Sequence, residues 1–378
     1  MQYLLQPDFE MRRPLLALHR PMLAALSLAA ACSTATSNPG SAARTGMGSV
    51  VPSSEANFVQ VIPRPSDRRV DVLVGGNPFT AYVWPTSLTA PVLFPIRTAS
   101  GTPVTRGYPL EPRASERMDH PNQVGLWFNY GDVNGVDFWN SSATSGAADA
   151  TRMGTIQHKS VRTATSGPGE GSLSVTTEWL DAGGRPLLIE DVKFIFRAKD
   201  ELRSIDRITT LTALDRAVAF TDNQNGVIGL RVARQLEQPS TAPERLTDAN
   251  GRPTTLAVVD TAGVTGKYLS SEGKEGDAVW GTRGRWTTLS GSIRGEPVRV
   301  AMFDHPQNPG YPTYWHARGY GLVAANPLGQ KAMSNGREEL NLKLAPGAST
   351  NFRHQILIMS GAVATQIIDP YYDGWAKF

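Results

Sequence analysis

Short runs in which apolar and polar residues alternate are the feature that most constrains how this chain can fold. The clearest runs cover residues 173–179, 192–196 and 352–358. Alternation with a period of two places successive side chains on opposite faces of a β-strand. Each run is therefore predicted to be a strand with one buried face and one face in solvent.

Turn signals separate these runs at short intervals. They are residues 75–78 (Gly-Gly-Asn-Pro), Asn134-Gly135, Gly183-Gly184, Asn225-Gly226, Asn250-Gly251 and Asn335-Gly336. No amphipathic pattern of helical period lasts longer than about two turns, and 36 glycines and 27 prolines make long helices unfavourable. We therefore predict an all-β fold, a large antiparallel β-sandwich with few, short helices.

The N-terminal residues have the order of a secretory signal. Arg12-Arg13 precede an apolar run over residues 22–31 that ends at Cys32, the only cysteine. That run is too short to span a bilayer as a helix. Because three alanines stand directly before Cys32, residues 1–32 resemble a bacterial lipoprotein signal in which Cys32 is lipidated. An ordinary signal peptide with a nearby cysteine is the alternative.

The next segment and the charge balance indicate where the protein works. Residues 33–55 are rich in Ser, Thr, Ala, Gly and Pro, as in a flexible linker, which leaves residues 56–378 as a single large sandwich domain. We expect an exported lipoprotein anchored in the outer membrane and facing the periplasm, with a soluble periplasmic or secreted protein as the alternative. A net charge of +3 without basic runs predicts no nucleic-acid partner and membrane contact only through the lipid.

Two Asp-His-Pro triplets, at residues 119–121 and 304–306, each lead into a polar, aromatic-rich stretch. The first stretch ends at Trp139 and the second reaches Tyr320. With the segments that follow them, the triplets hold three of the six histidines. We predict that these loops assemble a ligand site.

Histidine is a natural general acid or base because its ordinary pKa is about 6.5. His120, His305 and His316 are therefore candidate catalytic residues if the two loops converge. Glu190 joins them, because a carboxylate inside a strand must face solvent or be paired. An acid and a base on either side of a sugar ring would serve epimerisation, elimination or hydrolysis.

Other polar and aromatic residues of these stretches are candidate ligand contacts. They are Arg106, Asp119, Asn122, Gln123, Asn129, Asp132, Asp137, Trp139, Tyr314 and Arg318. Arginine clamps carboxylate or hydroxyl-rich groups, and amides both donate and accept hydrogen bonds. Tyr314 and His316 flank Trp315 and should share the opposite face of a strand. The predicted partner is a carbohydrate or another small hydroxylated ligand.

Each of these residues also has a purely structural interpretation. In an Asp-His-Pro turn, the aspartate can cap the backbone while proline fixes the bend. Trp127 and Trp139 lie on the arms of a predicted hairpin that turns over residues 132–135, where paired aromatics hold strands together. His354, in phase with Phe352, is predicted to be a hydrogen-bonded core histidine.

Four segments resemble a bacterial family of unknown function that is often labelled methane oxygenase PmoA. They are residues 104–110, 119–139, 268–273 and 304–329, and the resemblance extends over most of the chain. The true methane monooxygenase subunit is an integral membrane protein, whereas this chain has no apolar run of about 20 residues outside its signal. The resemblance implies a soluble, β-rich protein, often found in bacteria that degrade complex carbohydrates. A supersandwich of the size used by sugar mutarotases and polysaccharide lyases would fit.

The sequence departs from the family pattern after the first triplet. Relatives commonly continue with two further histidines, but Asn122 and Gln123 stand here. Neutral imidazole is a common metal ligand and amides are poor ligands for transition metals. The sequence therefore supports no cofactor, with a divalent metal as the alternative.

Three functions are compatible with these observations. The favoured one is a carbohydrate-active hydrolase, lyase or epimerase that works by histidine and carboxylate acid–base chemistry. The second is a non-catalytic glycan-binding protein, since aromatic platforms and amide donors suffice to bind sugars. The third is a metal-dependent oxidoreductase, as the family label indicates.

Overall fold

Two large antiparallel β-sheets make up most of the computed structural model, which describes residues 53–146, 151–361 and 364–378. The predicted signal, Cys32 and most of the predicted linker lie outside the described residues. The strands are β1 (Phe58–Arg64), β2 (Arg69–Val74), β3 (Asn77–Val83), β4 (Val92–Leu93), β5 (Leu126–Tyr130), β6 (Thr155–Thr165), β7 (Gly167–Pro168), β8 (Glu170–Leu180), β9 (Pro186–Lys199), β10 (Leu202–Ala213), β11 (Val218–Ala219), β12 (Gly226–Arg231), β13 (Glu244–Thr247), β14 (Pro253–Val258), β15 (Lys267–Ser270), β16 (Trp286–Ile293), β17 (Glu296–Asp304), β18 (Tyr314–Arg318), β19 (Leu322–Asn326), β20 (Lys343–Leu344) and β21 (Ser349–Ser360).

The nine-stranded sheet has the order β18-β19-β12-β5-β4-β3-β2-β1-β7, and the eight-stranded sheet has the order β15-β16-β17-β21-β10-β9-β8-β6. Two short ribbons, β11–β20 and β13–β14, lie outside them. The helices are short: α1 (Ser53–Ala56), α2 (Gln330–Met333) and α3 (Ile368–Trp375), with 3-10 turns at Pro65–Asp67, Arg234–Leu236, Gly276–Val279 and Thr365–Ile367. In the part of the chain that the structure describes, no helix is long and apolar enough to cross a membrane. The predicted all-β sandwich with few helices is confirmed.

The main core lies between the two sheets and follows the predicted alternation. Along β8, the side chains from Leu173 to Trp179 alternate between buried and partly exposed positions. Phe128 of β5 meets Trp179 and Phe352 of the opposite sheet, with ring centroids 6.3 and 5.7 Å apart. Apolar burial of this kind contributes about 25 cal/mol per Å² and is the main force that joins the sheets.

The outer face of the eight-stranded sheet is also covered in part. Leu357 and Met359 of β21 pack with Phe303 against Ile368 and Tyr372 of α3. The expectation that one face of residues 352–358 lies in solvent is therefore wrong. The alternation of that segment is correct, but the short C-terminal helix removes its second face from water.

The site lies on the face of the nine-stranded sheet that points away from the main core, here called the outer face. Trp127, Gly229, Ala324 and His316 occupy one row across β5, β12, β19 and β18, because each is the register partner of the next. Glycine and alanine in the middle of the row leave room for rings on either side. Trp127 lies directly over Gly229.

Replacing Gly229 with alanine is expected to lower the free energy of unfolding by about 1–3 kcal/mol, because overpacking displaces neighbours. A Cβ at this position would come within 2.3 Å of the Trp127 ring. Urea unfolding followed by tryptophan fluorescence measures the effect. Gly146→Ala is the control, since a Cβ there meets nothing within 4 Å. Equal stability of the two variants would contradict the packing of Trp127 on Gly229.

Candidate functional site

The first Asp-His-Pro triplet forms an oriented acid–base dyad on the outer face. His120 Nδ1 lies 2.7 Å from Asp119 Oδ2, and the imidazole side chain is 43% exposed. An ionised carboxylate can only accept hydrogen bonds, so Nδ1 must carry the proton. In the neutral ring, Nε2 is then the free acceptor. Adjacent residues on a strand would point apart, but this pair lies in a loop.

Two buried arginines hold the carboxylate of the dyad. Asp119 Oδ1 accepts hydrogen bonds from Arg106 Nη1 at 2.8 Å and from Arg231 Nη2 at 2.6 Å. Burial alone would raise the pKa of Asp119. The hydrogen bond with His120 and the charges of Arg231 and Arg106 together lower that pKa well below its usual range. Asp119 is therefore ionised at neutral pH and stays an acceptor for His120.

Arg106 also shapes the backbone of the triplet. Its guanidinium donates to the carbonyl oxygens of Arg117, Asp119, His120 and Gln123, at 2.8–3.2 Å. His120 has a φ of 44°, in the left-handed region that non-glycine residues rarely adopt. Such strain persists only where surrounding contacts over-determine the conformation. With all these acceptors inside the protein and 1% of its surface exposed, Arg106 is a scaffold for the loop, in place of the predicted ligand clamp.

Tyr320 and Arg231 complete this cluster, and neither was among the predicted site residues. The Tyr320 ring stacks on His120 with centroids 5.0 Å apart, and the Arg231 guanidinium lies 4.5 Å from the same ring. Gln123 Oε1 accepts from Arg231 at 2.6 Å, and its side chain bonds the Tyr320 hydroxyl. The Gln123 side chain is thus buried and holds Arg231 and Tyr320 in place, so it is not accessible to a ligand. A sequence signal existed for Arg231, since an arginine that ends a buried strand needs a partner.

His316 lies on the same face, beside Trp139 and Arg318. Its ring is parallel to Trp139 at 6.2 Å, and Arg318 Nε donates to His316 Nε2 at 3.4 Å. Burial lowers the pKa of His316 to about 4, and the charge of Arg318 adds to this, while a backbone hydrogen bond with Gln224 opposes it. His316 is therefore neutral at pH 7. The Arg318 guanidinium also lies over the Trp280 ring at 4.7 Å.

The depressed pKa of His316 predicts a pH dependence of stability. Because the folded pKa is about 4 and the ordinary value 6.5, the unfolded chain binds the proton more readily between these values. The free energy of unfolding is therefore highest above about pH 6.5, where His316 is neutral in both states. It falls by up to about 3 kcal/mol as the pH decreases to about 4. His316→Gln should therefore lose less stability than the wild type over this range, as measured by urea unfolding. Equal losses would contradict the shift.

The structure does not bring His305 to this site. His305 follows β17 of the eight-stranded sheet and packs edge-on against Trp375 of α3, 5.0 Å away. The predicted convergence is wrong for His305, because it follows a strand of the other sheet, whereas His316 of the second stretch lies on the same face as the dyad. Asp304 stabilises the loop that follows it, because its carboxylate accepts hydrogen bonds from Asn308 Nδ2 at 2.7 Å and from the Thr313 amide at 2.8 Å.

Glu190 is also separate from the dyad. Its side chain points into the main core, where it pairs with Arg207 and accepts from Thr177 Oγ1 and Trp179 Nε1. With 1% of its surface exposed, it has no route to a ligand. Its role in the structure is a buried ion pair rather than the predicted acid–base group.

The remaining candidates lie on the hairpin and strands around the dyad. Asp132 Oδ1 accepts the Gly135 amide at 2.9 Å and Asp137 Oδ1 accepts the Asn140 amide at 2.9 Å, so both aspartates stabilise turns. Tyr314 is buried, with the Arg283 guanidinium over its ring at 5.0 Å.

Asn122 and Asn129 both donate to the hairpin backbone. Asn122 Nδ2 donates to the Trp139 carbonyl at 2.8 Å, and Asn129 Nδ2 donates to the Phe138 carbonyl at 2.9 Å. Trp139 itself is buried between His316 and Trp127. These contacts hold the hairpin against the outer face of the sheet.

The described residues offer no set of ligands for the metal that the third function requires. Among the residues that the structure describes, no three His, Cys, Asp or Glu side chains are grouped so as to hold a metal ion. The carboxylate beside His120, that of Asp119, is already bonded to Arg106, Arg231 and His120 itself, and this arrangement does not fit a metal centre.

Solved structures similar to this chain include carbohydrate-active proteins. The galactosidase domain of an α-galactosidase–sucrose kinase has a TM-score of 0.37 at 9% identity, over 80% of this chain and 42% of that one. A galactose mutarotase-like protein from Clostridium acetobutylicum has a TM-score of 0.33 at 9% identity, over 81% of this chain and 100% of that one. A galactose mutarotase related enzyme from Lactobacillus acidophilus has a TM-score of 0.30 at 8% identity, over 81% of this chain and 98% of that one.

This chain thus spans less than half of the galactosidase chain. TM-scores this far below 0.5 carry no argument about function. No curated protein matches the sequence. The model of a family described as a family of unknown function, DUF6807, matches residues 69–373, and that description gives no support to the methane oxygenase label. Because this match spans most of the chain, the protein belongs to the DUF6807 family.

Proposed function

We propose that the protein binds a carbohydrate on the outer face of the nine-stranded sheet and that His120 transfers a proton to or from it. The observation that carries this proposal is the oriented imidazole. Asp119 holds the Nδ1 proton, while the exposed side chain leaves Nε2 able to meet a ligand. A positioned histidine of this kind contributes about 100- to 10,000-fold to proton-transfer rates.

The protonation state of Asp119 helps to distinguish among the possible reaction types. Glycoside hydrolysis usually needs a carboxylic acid whose pKa is raised so that it can protonate the leaving group. The pKa of Asp119 is shifted in the opposite direction, and its oxygens are occupied by Arg106, Arg231 and His120. The geometry therefore favours an epimerase or lyase type over a two-carboxylate hydrolase. Asp119 acts as a positioning residue in this scheme.

The surroundings of the dyad fit a hydroxylated ligand. Tyr320 places an aromatic ring beside His120, and His316 adds a neutral polar side chain on the same face. A glycan-binding protein without turnover remains the second candidate, because the same aromatic and polar groups suffice for binding. The oxidoreductase alternative is not carried further, since the site residues do not fit a metal.

The N-terminal sequence supports a location for this function. We propose that the protein is exported, cleaved before Cys32 and held by lipid on the periplasmic side of the outer membrane. Intact-mass analysis of the membrane-extracted protein would show a diacylated or triacylated Cys32. An unmodified N-terminus would favour the soluble alternative.

A thermal-shift panel tests the proposed ligand class. The purified protein is heated with neutral mono- and disaccharides and with sugar acids. A sugar present at about 100 times its Kd stabilises the folded state by about 2.7 kcal/mol, which raises the midpoint by several degrees. A sugar that raises the midpoint supports the proposal and supplies the substrate for turnover assays. A panel without any shift would overturn it.

A further inference from the structure

A cavity of about 350 Å³ opens on the outer face, next to the loop that carries the dyad. Its lining includes Trp127, Asn129, Asn122 and Tyr108, and it is here called the Trp127 cavity. Its volume is at the lower end of the range of about 300–1,000 Å³ that small-molecule sites occupy. None of the lining residues is Asp, Glu, Lys, Arg or His. The cavity therefore suits a small, uncharged ligand.

Two side chains that line the cavity each have one buried polar atom without a hydrogen-bond partner. The two atoms are Trp127 Nε1, a donor, and Asn129 Oδ1, an acceptor, on side chains that are only 2% and 4% exposed. The amide orientation of Asn129 is fixed, because its Nδ2 donates to a backbone carbonyl. Leaving such atoms unpaired costs about 1–3 kcal/mol each. One hydroxyl group can accept from a donor and donate to an acceptor, so hydroxylated ligands suit the pair.

Apolar and hydroxyl side chains share the rest of the wall. Leu88, Val92 and Val124 are apolar, whereas Ser142 and Thr144 carry hydroxyls. A sugar ring has the same mixed character, with C–H faces and hydroxyl edges. Aromatic rings such as those of Trp127 and Tyr108 pack well on C–H faces, because their own faces carry negative charge.

The cavity and the dyad are linked by a short segment of the chain. Pro121 and Asn122 directly follow His120 and line the cavity. Asn122 Nδ2 donates to the carbonyl of Trp139, whose ring packs between Trp127 and His316. A ligand with two linked rings could therefore place one ring in the cavity and the other at His120.

We propose that the Trp127 cavity is a subsite for one neutral sugar ring, so that the substrate is an oligosaccharide with an uncharged ring at this position rather than a monosaccharide. This inference rests on the proposed function, because the second ring is the one that His120 acts on. Asn129 and Trp127 anchor the hydroxyls of the first ring. Uronic acid units are excluded from the cavity, since a buried carboxylate without a partner is costly.

Calorimetric titration of the purified protein with cellobiose, lactose, maltose and their component monosaccharides tests the subsite. We expect a neutral disaccharide to bind at least about tenfold more tightly than its monosaccharides, a gain worth about 1.4 kcal/mol. Asn129→Ala should lower the disaccharide affinity about tenfold and leave monosaccharide binding at the dyad unchanged. Ala143→Trp, an exposed position on the cavity rim, should have the same effect without touching the buried wall.

Asn326→Ala is the matched control. Asn326 is also a buried asparagine on the same sheet; its Nδ2 donates to the Asn223 carbonyl at 2.7 Å and its Oδ1 has no partner, yet it does not line the cavity. We expect it to leave both affinities unchanged. Equal losses in the two asparagine variants, or tighter binding of digalacturonic acid than of every neutral disaccharide, would overturn the subsite. Sugar binding that neither cavity variant weakens would overturn the subsite alone, whereas no sugar binding would overturn the proposed function with it.

Discussion

Replacing Glu190 with alanine is expected to lower the free energy of unfolding by about 3–5 kcal/mol. Glu190 and Arg207 form an ion pair inside the sandwich, with side chains that are 2% and 10% exposed. The Arg207 guanidinium lies over the rings of Phe128 and Phe194, at 4.7 and 5.1 Å. Without the carboxylate, a charge would remain in the core with no counterion. The donors Thr177 and Trp179 would lose their acceptor as well.

The double replacement of Glu190 with Leu and Arg207 with Met should recover much of this loss. Removing both charges leaves no uncompensated ion, and apolar side chains of similar size often replace buried ion pairs without cost. Urea unfolding at neutral pH, with m-values compared, measures all three proteins. The single variant is expected to be the least stable of the set.

Asp191→Ala is the control for this prediction, because Asp191 is the next residue and also forms an ion pair. Its partner Arg162 lies 3.0 Å away, but the two side chains are 48% and 59% exposed. Exposed pairs contribute about 0–1 kcal/mol. If Glu190→Ala proved no more destabilising than Asp191→Ala, the pair in the core would not carry the stability inferred for it.

For Glu190, the sequence pattern predicts burial of the side chain but not its partner. The alternation of β9 puts Glu190 on the same face as Leu188, Val192 and Phe194, so the sequence shows that a carboxylate enters an apolar face. Its partner Arg207 is on the neighbouring strand β10, and only the pairing register identifies it. The choice between a structural pair and a catalytic group therefore depends on a long-range contact. Local spacing does not contain that contact.

The same limit explains the outcome for the two triplets. Strand alternation and turn dipeptides are local, and they were sufficient to predict the sandwich and to place Tyr314 and His316 on the face opposite Trp315. His120 and His305 stand in identical triplets, yet the first lies in the loop before β5 of the nine-stranded sheet and the second follows β17 of the other sheet. Arg231 contacts Asp119, and Tyr320 contacts His120, only because segments far apart in the sequence fold together.

Replacing His120 with glycine is expected to reduce turnover of a sugar identified in the panel by about 100- to 10,000-fold while KM changes little. Glycine is the informative replacement, because a φ of 44° is unstrained for glycine but not for most other residues. The variant should therefore fold at least as well as the wild type, and a loss of turnover would not reflect unfolding. Added imidazole should restore part of the rate, since it can occupy the space of the missing ring and transfer the same proton.

Asp119→Asn separates positioning from chemistry. The amide keeps the shape of the carboxylate but no longer needs a proton on His120 Nδ1, so the ring loses its fixed tautomer and kcat should fall with little change in KM. Imidazole should not rescue this variant, because the ring of His120 is still present. His158→Ala controls for the loss of a histidine elsewhere, since His158 stacks on Trp84 at 3.9 Å, outside the dyad. Full turnover in His120→Gly would overturn the catalytic role of His120.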